Sequence, residues 1–127
     1  MNKRKFIILL MVLFAVGAGY QFGNASQGGF SMTTEEALAL WQVGEAVIID
    51  VRTPKEYQEG HIPDVPLIPL DQLENRLEEV PQERQVLLIC RSGRRSSLGT
   101  NFLRSKGFEQ VYNIEGGMLA WHGPVAK

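Results

Sequence analysis

The segment CRSGRRS, residues 90–96, combines the only cysteine of the chain with three arginines. A deprotonated cysteine is a strong nucleophile, and arginines and helix N-termini are surroundings that lower the pKa of a thiol. Arginine guanidinium groups also bind planar or tetrahedral oxyanions through paired hydrogen bonds. The composition of this segment therefore predicts a reactive thiolate beside a binding site for an anionic substrate.

Cys90 lies where a strand is expected to give way to a helix. The apolar segment QVLLIC, residues 85–90, is typical of a buried strand in a parallel sheet. The segment SSLGTNFLRSKG, residues 96–107, predicts a helix that ends at Gly107. Three apolar side chains are expected on its inner face: Leu98, Phe102 and Leu103. The cysteine would thus lie at the carboxyl end of a central strand, where α/β sheets bind their ligands.

The loop between this strand and this helix is suited to binding an anion. Backbone N–H groups at such a turn can converge on one point, and the helix dipole adds positive charge there. Gly93 allows a conformation that residues with a Cβ atom avoid. We expect Arg95, next to the helix start, to point inward and Arg94 to face solvent. The positive charge of the loop would both stabilise the thiolate and bind the anionic substrate.

Strand and helix patterns alternate through the rest of the chain. Buried strands are expected at residues 46–51 and 110–114. Residues 61–70, HIPDVPLIPL, are expected to be extended and at a sheet edge, because each proline removes a backbone donor. Further helices are expected at residues 33–41, 53–60, 71–80 and 116–121. This alternation predicts an α/β fold with a mostly parallel central sheet and helices on both faces.

Local signals mark the starts of three of these helices. Thr33 and Thr53 each precede a glutamate by three residues, the spacing of a capping box, and Pro54 suits the first helical position. Asp71 is expected to cap the next helix. Apolar residues at helical spacing would form its inner face: Leu73, Leu77 and Val80.

The beginning of the chain has the pattern of an export signal. Basic residues at positions 3–5 precede the apolar run FIILLMVLFAVGAGY, residues 6–20, and small residues suit cleavage after Ala25. The alternative is an uncleaved anchor that associates the domain with a membrane through residues 6–22. In both cases the domain would be exported, to the periplasm or another compartment outside the cytoplasm.

The predicted organisation has three parts: a signal peptide or anchor at 1–25, a linker at 26–31 and one domain at 32–127. The chain has a net charge of -1, and without its basic start the domain is mildly acidic, which disfavours nucleic-acid binding. One cysteine cannot form an internal disulfide, so the thiol is expected to be free. One cysteine and two distant histidines lack metal-ligand spacing, and neither a metal nor a cofactor is expected.

CRSGRRS resembles the active-site loop of single-domain rhodaneses, sulfurtransferases whose catalytic cysteine carries a sulfane sulfur as a persulfide. The similarity continues through IIDVRTPKEYQEGHIP, IPLDQL and VYNIEGGMLAW, in the family's order and spacing. The matching region covers residues 32–122. The resemblance implies a rhodanese-like fold and a sulfurtransferase activity.

By this resemblance, Cys90 is the nucleophile that accepts sulfur. The resemblance also implies that the following loop binds the substrate: Arg91, Ser92, Gly93, Arg94 and Arg95. Asp50 and Arg52 would support the site from an earlier strand, and Ser96 would support it from the helix. The family commonly has glycine where this chain has Asp64, so the chain there is expected to be shaped differently.

Two histidines and a tryptophan complete the candidates. His61 is expected to pack or to form a hydrogen bond rather than to act as a general base, because a preformed thiolate needs none. Trp121 is expected in the core and His122 on the surface.

The resulting hypothesis is sulfur transfer from a small anion such as thiosulfate to a thiol, to cyanide or to a protein acceptor, through a Cys90 persulfide. One alternative is a sulfur carrier or partner-binding module. Another is a cysteine phosphatase or arsenate reductase of the same fold, whose loops resemble a cysteine, five residues and an arginine. Here only four residues separate Cys90 from Arg95, which fits a sulfur substrate better. The absence of a second cysteine further weakens the reductase alternative.

Overall fold

The structure, a computed structural model, describes residues 29–127. The expected export signal or anchor at residues 1–25, and the first part of the linker, lie outside the described residues. Within residues 29–127, no helix is both long and apolar enough to cross a membrane. The first strand, β1 (Ser31–Met32), begins one residue before the expected domain boundary.

Three further strands follow in the described part of the chain: β2 (Ala46–Asp50), β3 (Gln85–Ile89) and β4 (Val111–Ile114). The four strands are parallel and form one sheet in the spatial order β1-β4-β3-β2. The predicted α/β fold with a parallel sheet is therefore confirmed. β1 was not predicted, because a two-residue strand carries no periodic pattern and is defined only by its pairing with β4.

Helices cover both faces of the sheet. They are α1 (Thr34–Gln42), α2 (Pro54–Glu59), a 3-10 helix (Leu70–Glu79), α3 (Arg94–Ser105) and α4 (Gly117–Ala120). The helices α1 and α4 pack on one face, whereas α3 and the 3-10 helix pack on the other. Thr33 caps α1 through the N–H of Glu36, and Thr53 and Glu56 form a complete capping box at the start of α2.

Alternate residues of β2 and β3 divide the apolar core between the two faces. Ile48, Ile89 and Trp121 belong to the cluster beneath α1 and α4. Ile49 and Leu88 belong to the cluster beneath α3 and the 3-10 helix. Both faces of these strands are buried, which explains their continuous apolar sequence. The predicted core position of Trp121 is confirmed, since this side chain is buried.

The helix expected at residues 71–80 differs from the prediction. It begins at Leu70 as a 3-10 helix, with Pro69 at its N-cap position and no side-chain cap, so Asp71 does not cap it. Its backbone leaves helical geometry at Arg76, where φ is -131° and ψ is 30°. Because Pro69 occupies the N-cap position, Asp71 falls inside the first turn, and the helix has no side-chain cap since proline has no side-chain oxygen. Leu73 is nevertheless buried, as expected.

The inner face of α3 also differs from the prediction. Leu98 is 58% exposed instead of facing the core. The residues of α3 that are buried are Ser96, Gly99, Thr100 and Leu103. The helix lies close to the sheet: a Cβ atom on Gly99 would meet Leu88 at 3.0 Å. Small residues must therefore face the sheet, and Leu98 is turned to the outside. The predicted end of the helix near Gly107 is confirmed.

The segment after α2 pairs with the outer edge of β2, where Asp50 bridges Leu67. Asp64 in this segment has a φ of 63°, the left-handed conformation that glycine adopts most easily. We expect Asp64→Gly to raise the free energy of unfolding by about 0.5 kcal/mol, because glycine has no Cβ strain in this conformation. Asp64→Ala should lower it, because alanine keeps the Cβ strain and lacks the short polar side chain that makes this conformation less costly for aspartate. Urea denaturation of the three proteins measures both effects. A less stable glycine variant would contradict this reasoning.

Candidate active site

Cys90 directly follows β3 and is fully buried. The strand ends one residue earlier than expected, so Cys90 is the first residue of the loop rather than the last of the strand. Gly93, in the left-handed conformation with φ of 99°, ends the loop and caps α3. The Cys90 sulfur, Sγ, accepts hydrogen bonds from the Gly93 N–H at 3.1 Å and from the Ser96 hydroxyl at 3.2 Å. The loop therefore closes around the sulfur and surrounds it with donors.

These donors stabilise the charged form of the thiol. Burial raises the pKa of Cys90, but hydrogen bonds to the sulfur outweigh burial and leave this pKa below its ordinary value. The donors are the Ser96 hydroxyl and the N–H groups of Ser96, Gly93 and Ser92. A larger fraction of Cys90 is therefore thiolate than in an unperturbed cysteine, and no neighbouring general base is required.

The first turn of α4 forms hydrogen bonds with the backbone of the Cys90 loop. The Met118 N–H donates to the Cys90 carbonyl at 2.8 Å, and the Leu119 N–H donates to the Arg91 carbonyl at 3.0 Å. N–H groups in the first turn of a helix have no partner within the helix, so they are available for this role. The two carbonyl groups of the loop are thereby directed at α4.

Gly117 allows this close contact. It has a φ of 54°, and a Cβ atom here would overlap the Cys90 carbonyl oxygen and come within 2.6 Å of the Arg91 backbone. The preceding Gly116 is also left-handed, with φ of 76°. The glycine pair in EGGMLAW is therefore a part of the active-site support that sequence reasoning did not assign.

Arg95 is bound to Glu56 of α2. Its two terminal nitrogens donate to the two carboxylate oxygens at 2.7 and 2.8 Å. The hydrogen bonds from Arg95 outweigh partial burial and lower the pKa of Glu56 to about 2. Arg95 thus joins the loop to α2 instead of presenting a free guanidinium group. Sequence reasoning missed Glu56 as a site residue, because its capping box with Thr53 already explained it.

Arg91 and Arg94 remain available at the surface. Both are exposed, and neither forms an ion pair or a side-chain hydrogen bond with any residue in the described range. The expected solvent exposure of Arg94 is thus observed.

An open cavity of about 250 Å³ lies beside Arg95, between the end of β2 and the 3-10 helix. A larger cavity of about 330 Å³ lies at the outer edge of β2 and includes no loop residue.

Comparison with known families agrees with this arrangement. The family model described as "Rhodanese-like domain" matches residues 33–124, which include β2 through α4 and the whole Cys90 loop. The chain belongs to the rhodanese-like domain family. The sulfurtransferase family predicted from the sequence is therefore confirmed at this level.

Relatives and solved structures support the same assignment. The chain is 38% identical over 81 residues to a sulfurtransferase of Allochromatium vinosum, covering 62% of this chain and 76% of that protein. It is 41% identical over 76 residues to YrkF of Bacillus subtilis, whose name proposes a sulfur carrier protein; the match covers 60% of this chain and 41% of YrkF. The structure of a human single-domain sulfurtransferase superposes with a TM-score of 0.68 at 26% identity, covering 72% of this chain and 93% of that one.

Asp50 and Arg52 form a buried ion pair at the end of β2 of the rhodanese-like domain. The Asp50 carboxylate accepts hydrogen bonds from the Arg52 backbone N–H and from its Nε and Nη2, at 2.8 to 3.0 Å. Arg52 Nη2 also donates to the Gly60 carbonyl at 2.7 Å. The pair thereby fixes the turn that follows α2, the helix that carries Glu56. Within residues 29–127 the pair forms no hydrogen bond with the Cys90 loop, and its interaction with the loop is the electrostatic attraction between Asp50 and Arg95.

His61 stacks on Tyr57, with ring centroids 3.8 Å apart. Its Nδ1 lies 2.8 Å from the Tyr57 carbonyl, to which it donates a hydrogen bond, and its backbone pairs with Ala126. This is the packing and hydrogen-bonding role that was expected. His122 is exposed, as expected. Within residues 29–127, no cluster of three or more His, Cys, Asp or Glu side chains is placed to bind a metal ion.

We expect Ser96→Ala to raise the pKa of Cys90, because the variant loses the side-chain donor that most favours the thiolate. Below this pKa, alkylation by iodoacetamide should slow by about tenfold, the effect of losing one hydrogen bond to a charged group. At high pH the two proteins should react at the same rate, since Cys90 is then a thiolate in both. The pH profile of alkylation measures this, with Ser105→Ala as a control for an exposed serine of the same helix. Identical profiles for Ser96→Ala and the parent protein would contradict the assignment.

Proposed function

We propose that this rhodanese-like domain transfers sulfane sulfur from a small anionic donor, of which thiosulfate is the simplest, to a thiophilic acceptor through a persulfide on Cys90. The observation that supports this most strongly is the set of donors around Cys90 Sγ. They favour the thiolate at the centre of a loop whose N–H groups can also bind an oxyanion.

The first step is attack by the Cys90 thiolate on the outer sulfur of thiosulfate. A new sulfur–sulfur bond forms to Cys90, the sulfur–sulfur bond of the donor breaks, and sulfite leaves with the electron pair. The negative charge of Cys90 moves to the terminal sulfur of the persulfide. In the second step an acceptor such as cyanide attacks that terminal sulfur, thiocyanate leaves, and the thiolate is regenerated. No proton has to be transferred with these two partners.

The loop arginines have different roles in this proposal. Arg91 and Arg94, which are exposed and unpaired within residues 29–127, attract the donor and stabilise departing sulfite. Arg95 is held by Glu56 and shapes the loop. This argues against a phosphatase, in which an arginine at the end of the loop would face the phosphoryl group.

Intact-mass spectrometry tests the proposal. The protein is incubated with thiosulfate, and the expected result is a mass increase of one sulfur atom that disappears on addition of cyanide, with release of thiocyanate. Because the chain has a single cysteine, protein blocked with iodoacetamide is the matched control and should show neither signal. Thiocyanate release by the blocked protein, or no added sulfur in the free protein, would contradict the proposal.

A second candidate is a sulfur carrier that delivers the persulfide to a partner protein. It is favoured by two exposed leucines beside the loop: Leu119, 66% exposed, whose N–H binds the Arg91 carbonyl, and Leu98, one helical turn after Arg94. Exposed apolar side chains are typical of a surface that binds another protein, and they would not bind a small anion. A persulfide that forms stoichiometrically but reacts slowly with cyanide would favour the carrier. Rapid turnover would favour the enzyme.

We further propose that the domain acts outside the cytoplasm, as residues 1–25 suggest. Cell fractionation, followed by mass measurement of the recovered protein, tests this proposal. A chain beginning at Ser26 would indicate a cleaved signal, and a full-length chain in the membrane fraction would indicate an anchor.

A further inference from the structure

A chain of hydrogen-bonded polar side chains extends from Cys90 across the sheet to β1. The Ser96 hydroxyl lies 3.2 Å from Cys90 Sγ and 2.5 Å from Oδ1 of Asn113 on β4. Asn113 Nδ2 donates to the Ser31 hydroxyl at 3.3 Å, which directs the amide oxygen toward Ser96. Ser96 and Asn113 are at most 1% exposed, so bulk water does not compete for these groups.

The Ser96 hydroxyl has one proton and two acceptors within reach. A thiolate is a charged acceptor and binds this proton strongly. In the persulfide, the charge resides on the terminal sulfur, and Cys90 Sγ becomes an uncharged sulfur with two covalent bonds, which is a weak acceptor. The buried hydroxyl then needs another partner, because a buried polar group without a hydrogen bond is destabilising.

We propose that Asn113 is a positioning residue that accepts the Ser96 proton when Cys90 carries a sulfane sulfur. This inference rests on the proposed persulfide and deepens it. With Cys90 free, the Ser96 hydroxyl is within hydrogen-bond distance of both acceptors, and in the loaded form its proton is directed to the amide oxygen alone. The hydroxyl is thus hydrogen-bonded in both covalent states of Cys90. Asn113 thereby stabilises the loaded form relative to the free thiolate.

Asn113→Leu tests this role, because it removes the acceptor while it nearly preserves the side-chain size. Each protein is equilibrated with mixtures of thiosulfate and sulfite, and mass spectrometry gives the fraction that carries one extra sulfur. We expect Asn113→Leu to require an about tenfold higher ratio of thiosulfate to sulfite for half loading. In the free form of the variant the thiolate still accepts the Ser96 proton, whereas in the loaded form the buried hydroxyl is left without a good acceptor.

Thr100→Val is the matched control. Thr100 is buried on the same helix, and its hydroxyl donates to the Ser96 carbonyl at 2.8 Å, not to the Ser96 side chain. This variant loses a comparable buried hydrogen bond, yet its half-loading ratio should not change. The double variant Ser96→Ala/Asn113→Leu should load like Ser96→Ala, since Asn113 acts through the hydroxyl. An equal shift in Thr100→Val, or an undiminished Asn113→Leu shift in the Ser96→Ala background, would overturn the proposal.

A second readout does not depend on sulfurtransferase activity. Methyl methanethiosulfonate transfers a methylthio group to the Cys90 thiolate and releases methanesulfinate, which leaves Sγ uncharged and bonded to a second sulfur. This labelling should lower the melting temperature of Asn113→Leu more than that of the parent protein or Thr100→Val. If this difference appears and thiosulfate fails to load Cys90, the donor is wrong and the role of Asn113 stands. Equal changes in all three proteins would overturn the role of Asn113, whether or not thiosulfate loads.

Discussion

Gly117→Ala is expected to slow the loading of Cys90 with sulfur by about 100-fold or more, because small displacements of reacting groups have effects of this size. The added Cβ atom would overlap the Cys90 carbonyl oxygen and lie 2.6 Å from the carbonyl carbon and oxygen of Arg91. All three are backbone atoms, so no side-chain rotation relieves the overlap. The loop or α4 must shift, and the N–H groups that surround the sulfur shift with it. The same overlap should cost about 2–4 kcal/mol of stability.

Gly44→Ala is the matched control for this prediction. Gly44 also has a left-handed backbone, with φ of 76°, but no atom lies within 4 Å of the position that a Cβ atom would take. This variant should be destabilised only by the strain of a Cβ atom in the left-handed conformation, about 1 kcal/mol, and it should load sulfur normally. Urea denaturation and timed mass spectrometry measure the two effects. If both variants lose the same stability and load at the same rate, the contact between α4 and the loop is not important.

The parts of this fold that the sequence predicted are those with local causes. The apolar runs of β2 and β3 reflect burial on both faces, and capping residues mark α1 and α2. The Cys90 loop belongs to the same group. Gly93 and Ser96, which donate to the sulfur, lie within six residues of it along the chain.

The parts that were missed depend on how distant segments are placed against one another. Glu56 and Arg95 are 39 residues apart, and Ser96 and Asn113 are 17 apart, so neither contact leaves a local pattern. Leu98 shows a related difficulty. An α-helix turns by about 100° per residue, so a small rotation of the helix about its axis changes which residues lie against the sheet. Here the small residues of α3 take that place, which apolar spacing alone does not indicate.

Asp50→Asn should lower the free energy of unfolding by about 3–5 kcal/mol, the usual cost of removing one partner of a buried ion pair. The Asp50 carboxylate is fully buried, and the Arg52 side chain is only 7% exposed. The asparagine would fill nearly the same space, but its neutral amide would leave the Arg52 guanidinium group buried without a compensating charge. Urea denaturation measures the loss.

Glu79→Gln provides the contrast, because it breaks an ion pair that faces solvent. Arg76 and Glu79 are 2.6 Å apart, closer than Asp50 and Arg52, yet water screens them, and only a small loss is expected. If the two variants are equally stable, burial is not what makes the Asp50 pair important.

The reactivity of Asp50→Asn also shows whether Asp50 stabilises the domain or takes part in catalysis. Arg52 holds the Gly60 turn, which follows the helix that carries Glu56, whereas the donors to the Cys90 sulfur come from the loop and α3. Below the concentration of urea that unfolds it, Asp50→Asn should therefore react with iodoacetamide nearly as fast as the parent protein. A variant that stayed fully stable but lost this reactivity would place Asp50 in the catalytic machinery. Unchanged reactivity with reduced stability would mean that the pair acts on the site only by keeping the domain folded.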